Sequence, residues 1–175
     1  MKTMCVGIKS VKSVLSALEM ISDIKGYYVL LIYMKANKQI SVGKLGVKNF
    51  EKGYYVYTGS ALGKGALSLG GRIRRHIRKQ KTKKWHVDYL LSDENASVKA
   101  VVAGTAEQKM ECKINKCLKE VFYAKISIMG FGSSDCTENC CSHLLFLGRT
   151  YKVVDRIISS LLREVNGDIY VLRFR

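Results

Sequence analysis

Residues Tyr27 to Met34 form an unbroken run of aromatic and aliphatic side chains, closed on one side by Gly26 and on the other by Lys35, Ala36, Asn37 and Lys38. A run of this length and composition between glycine and polar punctuation is a strand. β character resumes from Gln39 to Val42, which predicts a hairpin, and a third strand is expected from Tyr54 to Thr58, after Lys52 and Gly53. The chain then changes character. Gly59, Gly63, Gly65, Gly70 and Gly71 fall within a short stretch, and such glycine density makes a turn whose backbone can approach a ligand closely.

Helical spacing frames these strands. Val11, Val14, Leu15, Leu18 and Ile21 predict an amphipathic helix over residues 9–22, with Ser10 as its cap. Residues 72–80 read as a short helix that brings Arg72 and His76 together, because residues four apart are neighbours on a helix surface. Residues 85–91 fit either helix or strand; in a strand, His86 and Asp88 would share a face. Strands are expected at 98–103, 124–129 and 169–174, and helices at 107–121 and 151–165, the first burying Met110, Ile114, Cys117 and Val121. The pattern is that of an α+β fold, a small antiparallel or mixed central sheet flanked by helices. The chain has 175 residues, so a single domain 1–175 is expected, with residues 1–25 as an N-terminal helix, 26–120 as the core and 121–175 as its C-terminal extension.

No stretch approaches the roughly 18 uninterrupted apolar residues a membrane span needs, and the apolar segment from Val14 to Ile21 is short and carries Glu19. A soluble cytoplasmic protein without a membrane partner is the expectation. The formal net charge is +16, which draws polyanions by electrostatic steering and counterion release. Half of that charge lies in one place: Arg72, Arg74, Arg75, Arg78, Lys79, Lys81, Lys83 and Lys84 fall within thirteen positions, and no acid occurs between Lys52 and His86. Guanidinium forks pair bidentately with phosphate oxygens, so nucleic acid, DNA in preference to RNA, is the expected partner.

Tyr28, Tyr57, Arg72, His76 and Glu111 remain once core positions are assigned. Gly26-Tyr27-Tyr28, then Tyr57-Thr58-Gly59, then Arg72 with His76 four residues on, then Glu111, resembles the ordered signature of the GIY-YIG nuclease superfamily. More closely, Gly26-Tyr27-Tyr28-Val29-Leu30-Leu31, Tyr57-Thr58-Gly59-Ser60-Ala61, Trp85-His86-Val87-Asp88-Tyr89-Leu90-Leu91, Glu111-Cys112 and the segments at 131–136 and 142–144 resemble a small archaeal and bacterial group, domain of unknown function 123. Members of that group are sometimes fused to DNA-repair endonuclease III, which makes a partner protein in a repair complex an expectation too. The resemblance implies a three-stranded antiparallel sheet with flanking helices and an endonuclease that hydrolyses phosphodiesters. Under it, Glu111 would hold one Mg2+ or Mn2+ ion, Arg72 the scissile phosphate, and Tyr28, Tyr57 and His76 the attacking water and its surroundings. The same fold kept as a non-catalytic nucleic-acid-binding module is the alternative.

Six cysteines occur, at 5, 112, 117, 136, 140 and 141. Cys136, Cys140 and His143 have ligand-like spacing for zinc, but a tetrahedral site needs a fourth ligand, and Cys141 or Cys112 would have to fold in to supply it. A disulfide joining Cys112 or Cys136 to Cys140 or Cys141 is a second reading, and inert buried thiols a third. The segment 131–135 reads as a turn.

Overall fold

The computed structural model describes residues 3–7, 18–149, 153–165 and 167–174. Eight strands are present among them: β1 (Thr3–Gly7), β2 (Gly26–Met34), β3 (Lys38–Ser41), β4 (Val47–Phe50), β5 (Gly53–Ala61), β6 (Ala96–Thr105), β7 (Leu144–Gly148) and β8 (Ile169–Arg173). Four α-helices accompany them: α1 (Leu69–Ile77), α2 (His86–Ser92), α3 (Glu111–Phe122) and α4 (Val154–Glu164). The architecture is α+β, as the sequence pattern predicts. Its principal sheet has six strands in the order β1-β8-β6-β2-β5-β7, larger than the small sheet expected. All its pairings are antiparallel except that of β1 with β8.

β2 lies between β5 and β6 and is covered on both faces, which is why its sequence is a continuous apolar run rather than an alternating one. Tyr28, Leu30, Ile32 and Met34 point with Tyr55 and Tyr57 into a core shared with Leu69 and Ile73 of α1 and with Val87 and Leu90 of α2. Tyr27, Val29 and Leu31 point the other way, joining Val56, Val102 and Val171 against Ile114 and Leu118 of α3 and Ile157 and Leu161 of α4. Among the described residues, α1 and α2 therefore pack on one face of the sheet and α3 and α4 on the other.

Several expectations are corrected. The segment from Gln39 to Val42 does not pair with β2: β3 turns on Gly43 and Gly46, both at positive φ, and pairs with β4 in a separate two-stranded sheet. Residues 124–129 form a single bridge, Lys125 to Phe146, and no strand. The third helix starts at Glu111, not at Glu107, and buries Cys112, Ile114, Asn115 and Leu118. Residues 1–25 are not simply a helix, because Thr3–Gly7 is an edge strand; most of the helix expected at 9–22 lies outside the described residues, although Leu18 and Ile21 are buried in the core. Residues 86–92 form a helix, so His86 and Asp88 do not share a face.

A candidate active-site cleft and an adjoining Cys3His cluster

β7 pairs with β5 only as far as Tyr57, opposite Leu144. One further hydrogen bond follows, Thr58 N–H to the His143 carbonyl at 3.1 Å, and past it β7 no longer accompanies β5. Ser60 ties this end of β5 to the start of α3: it accepts a hydrogen bond from the Met110 backbone N–H at 3.1 Å and donates to the Glu111 carboxylate in the first turn. The result is a cleft of about 310 Å³ whose lining includes Tyr28, Tyr57, Arg72, Trp85, Glu111 and Asp135. Four of the five residues singled out in the sequence thus line one cleft, from β2, β5, α1 and α3. The fifth, His76, stands behind Tyr28.

The tyrosines are packed groups. Tyr28 and Tyr57 are almost wholly buried, their ring centroids 6.4 Å apart. A Cβ at Gly59 would stand 2.5 Å from the Tyr28 ring carbon and hydroxyl, and one at Gly132 2.6 Å from the Tyr57 ring, so both glycines clear space for the rings. The Tyr28 hydroxyl meets His76 Nε2 at 2.9 Å. His76 Nδ1 faces Asp88 Oδ1 at 3.9 Å, beyond hydrogen-bond reach, and neither atom has another partner among the described residues. With the imidazole proton on Nδ1, on the Asp88 side, Nε2 is left to accept from the Tyr28 hydroxyl.

Burial sets the protonation states. It pushes the His76 pKa down to about 3, against the pull of Asp88, so the imidazole is neutral. It pushes Tyr28 up to about 12 despite the opposing Arg72 guanidinium, and raises Tyr57 well above the usual phenol range. Burial also raises Asp88, but the Trp85 backbone N–H, the Arg75 guanidinium and the Lys84 N–H overcome it and hold the carboxyl below its ordinary value. Asp88 has no exposed surface and ties α2 to α1: its Oδ2 takes Arg75 Nη2 at 2.8 Å and the backbone N–H groups of Lys84 and Trp85 at 3.0 and 2.9 Å. The guanidinium groups of Arg72 and Arg75 lie 4.8 and 4.7 Å from the Trp85 ring centroid, which fixes them by cation–π contact.

The basic stretch is divided by these contacts. Arg75 is committed to Asp88. Lys79 donates to backbone carbonyls, the shortest contact being Ala96 at 2.6 Å, and Lys81 donates to the His76 carbonyl at 2.6 Å. Burial and the nearby Arg75 and Lys79 outweigh Asp88 and bring the Lys81 pKa down to about 8. Arg78, Lys79, Lys83 and Lys84 are exposed, although the Lys79 ammonium is turned back onto carbonyls, Arg74 is half-buried, and Lys84 lines the cleft.

Beside Glu111 the same helix turn supplies Cys112. The sulfurs of Cys112, Cys136 and Cys140 and a ring nitrogen of His143 all lie within 4.8 Å of one another, a group that could hold a metal ion. Cys136 and His143 also line the cleft. Cys112 is therefore the candidate fourth ligand, whereas Cys141 is exposed and outside the group, and Cys112, Cys117, Cys136, Cys140 and Cys141 are all free thiols. Cys117, expected in the core, is half-buried. Two further buried polar residues support the site without a role assigned to them from the sequence. Asn115 accepts from Thr58 Oγ1 at 3.4 Å and donates to the Ser142 carbonyl at 2.7 Å, and Asp88 is the anchor just described; a buried polar side chain gives no sequence signal until its partners are known.

The fold and this cleft define an α+β protein with a polar, tyrosine-floored site at one end of its central sheet. The profile of the family Domain of unknown function DUF123 matches residues 27–166, and the chain belongs to that family. No curated protein and no solved structure matches it. Among the described residues no helix is long and apolar enough to cross a membrane.

Proposed function

We propose that this protein is a divalent-metal-dependent endonuclease of the GIY-YIG type, acting on DNA in preference to RNA. The observation that carries the reading is the convergence of Tyr28, Tyr57, Arg72 and Glu111 on one open cleft, because residues 83 positions apart in the chain (28 to 111) would not meet there by strand or helix propensity alone. The Glu111 and Asp135 carboxylates and the Ser60 and Ser134 hydroxyls supply hard oxygen donors around the cleft. That donor set fits Mg2+ or Mn2+ with retained waters. Bound there, the ion would supply charge stabilisation and an acidified water. The sulfur-rich group of Cys112, Cys136, Cys140 and His143 has the wrong chemistry for such an ion and suits zinc.

The chain's own residues divide the remaining work. Arg72, held over Trp85, binds the phosphate and stays fixed as charge develops on it. Tyr28 orients a water through its hydroxyl, and neutral His76 behind it accepts the hydrogen bond that fixes that hydroxyl's direction. With the phenol pKa at about 12 and the imidazole pKa at about 3, both groups keep their neutral forms, so their part is to position the water whose proton the bound ion would acidify. Tyr57 fills the opposite side and excludes solvent. Arg78, Lys83 and Lys84 supply contacts to neighbouring phosphates.

Cleavage of a panel of single-stranded, duplex, branched and RNA substrates with Mg2+ or Mn2+ tests the proposal. Activity is expected in the parent protein, with a loss exceeding about a hundredfold in Glu111→Gln. Binding without cleavage by the parent, undiminished in Glu111→Gln, would establish the non-catalytic binding module instead.

A further inference from the structure

We infer that Cys112, Cys136, Cys140 and His143 are the four ligands of one closed zinc site, which fastens residues 131–143 to the start of α3 and so builds one wall of the cleft. The zinc part stands on the donor geometry alone; the wall matters to catalysis only if the nuclease reading holds. Zinc bonded to sulfur at about 2.3 Å and to nitrogen at about 2.0–2.1 Å in a tetrahedron sets edges of roughly 3.8 Å between sulfurs and roughly 3.6 Å from sulfur to nitrogen. Cys112 Sγ lies 3.4 Å from Cys136 Sγ and 3.6 Å from His143 Nε2. Those two edges have the size zinc requires, and all four donors lie within 4.8 Å of one another. All four positions are filled by protein, which leaves none for water or substrate and marks a structural site, not a catalytic one.

The segment that carries three of the ligands is closed at its base by backbone hydrogen bonds, Gly130 N–H to the Cys141 carbonyl and His143 N–H to that of Phe131, but has few apolar contacts beyond it. Phe131 and Ser142 are buried at its two ends, but Ser134, Asp135, Thr137, Glu138, Asn139 and Cys141 are exposed. A stretch with so few apolar contacts is held by its cross-links. Fixing it has consequences in the cleft, because Asp135 and His143 line the cavity and the Gly132 backbone N–H donates to His86 Nδ1 at 3.0 Å. His86 follows Trp85 directly, so the metal-bound segment and the stacked arginines are joined through one hydrogen bond. Cys112 follows Glu111, so the ion also fixes the turn that presents the carboxylate.

The chain contains a single tryptophan, Trp85, whose emission therefore reports on the cleft alone. Full-length protein purified without added metal should carry about one equivalent of zinc by elemental analysis. Cys112→Ser and Cys140→Ser should lose it, while Cys141→Ser and Cys117→Ser keep it. Because the first two variants are open to misfolding, Co2+ exchanged into the parent chain provides an independent readout: intense tetrahedral d–d bands with thiolate charge transfer are expected. Withdrawing zinc with a chelator should shift Trp85 emission to the red and lower the melting temperature. A parent chain that neither contains nor takes up zinc, an octahedral cobalt spectrum, or full zinc retention in Cys140→Ser overturns the site. Zinc present at one equivalent with Trp85 emission unmoved on its removal overturns the wall. A zinc-loaded protein that passes these tests yet cleaves nothing refutes the nuclease reading and leaves the zinc site standing.

Discussion

Gly59 and Gly132 mark where the site has been cleared of side chain for its two tyrosines. In Gly59→Ala the new methyl would meet the Tyr28 hydroxyl and ring at 2.5 Å, and that ring is buried against His76 and Tyr57. Overpacking of this kind costs about 1–3 kcal/mol, and the ring must swing off His76; the expected outcome is a lowered melting temperature together with loss of cleavage. Glu111→Gln separates function from stability in the opposite sense. Glutamine keeps an acceptor for Ser60, so calorimetry should find the melting temperature nearly unchanged while titration finds no Mn2+ bound at the cleft. His76 gives a pH signature. Its folded pKa of about 3 lies below the ordinary histidine value near 6.5. As pH falls through 6.5 the unfolded chain gains a proton that the folded chain does not, so this group withdraws stability progressively down to its folded pKa. Urea unfolding of the parent and of His76→Gln at pH 7 and pH 5 should show the parent losing ground by up to about 1.4 kcal/mol per pH unit relative to the variant. Equal pH slopes would mean that His76 is protonated in the fold, and with it the acceptor for Tyr28 would be gone.

Between α1 and α2 the decisive contact is Asp88, which satisfies Arg75 and the backbone before α2 from a fully buried position. Breaking a buried pair by removing one partner costs about 3–5 kcal/mol. Asp88→Ala should lower the denaturant midpoint accordingly, and more than Lys25→Ala, which severs an exposed pair with Glu107. The elements differ in how far their sequences disclose them. β2 is legible because burial on both faces leaves an uninterrupted apolar run. β5 and the Arg72–His76 helix follow from composition and four-residue spacing. β3 is legible as a strand but not in its partner, because a half-exposed strand fits any neighbour and only the turn at Gly43 and Gly46 selects β4. The register of α3 misleads for a related reason: Met110 and Val121 complete an apolar stripe, yet the positions that turn inward are Cys112 and Asn115, whose surroundings are a thiol cluster and two polar partners. At the site, Tyr28, Tyr57, Arg72 and Glu111 are recoverable from their order along the chain. Cys112 as fourth member of the cluster does not stand out from Cys141, since its companions lie on a different segment and no spacing rule spans the gap.

Over the whole molecule the charge of +16 is less uniform in effect than in number. Lys79 and Lys81 are turned onto the protein's own carbonyls, whereas Arg78, Lys83 and Lys84 face outward. Removing one cation that touches a phosphate lowers the slope of log affinity against log salt by about 0.7 to 0.9. Replacing Arg78, Lys83 and Lys84 together by Ser should therefore flatten the slope for DNA by about 2 to 3, while replacing Lys79 and Lys81 should leave it unchanged; fluorescence anisotropy at a series of salt concentrations distinguishes the two. The far edge of the sheet has a different kind of consequence. β1 and β8 are the first and last strands of the described chain, and they lie side by side and parallel, Thr3 beside Ile169 and Gly7 beside Arg173. A pull applied to the start of β1 and the end of β8 runs along the strands in opposite directions, so their ladder is sheared as a block and its hydrogen bonds carry the load together instead of opening one by one. Stretched between its two ends, the molecule should resist to a sharp rupture force, and it should yield far more gently when pulled across that edge from a handle placed on β6.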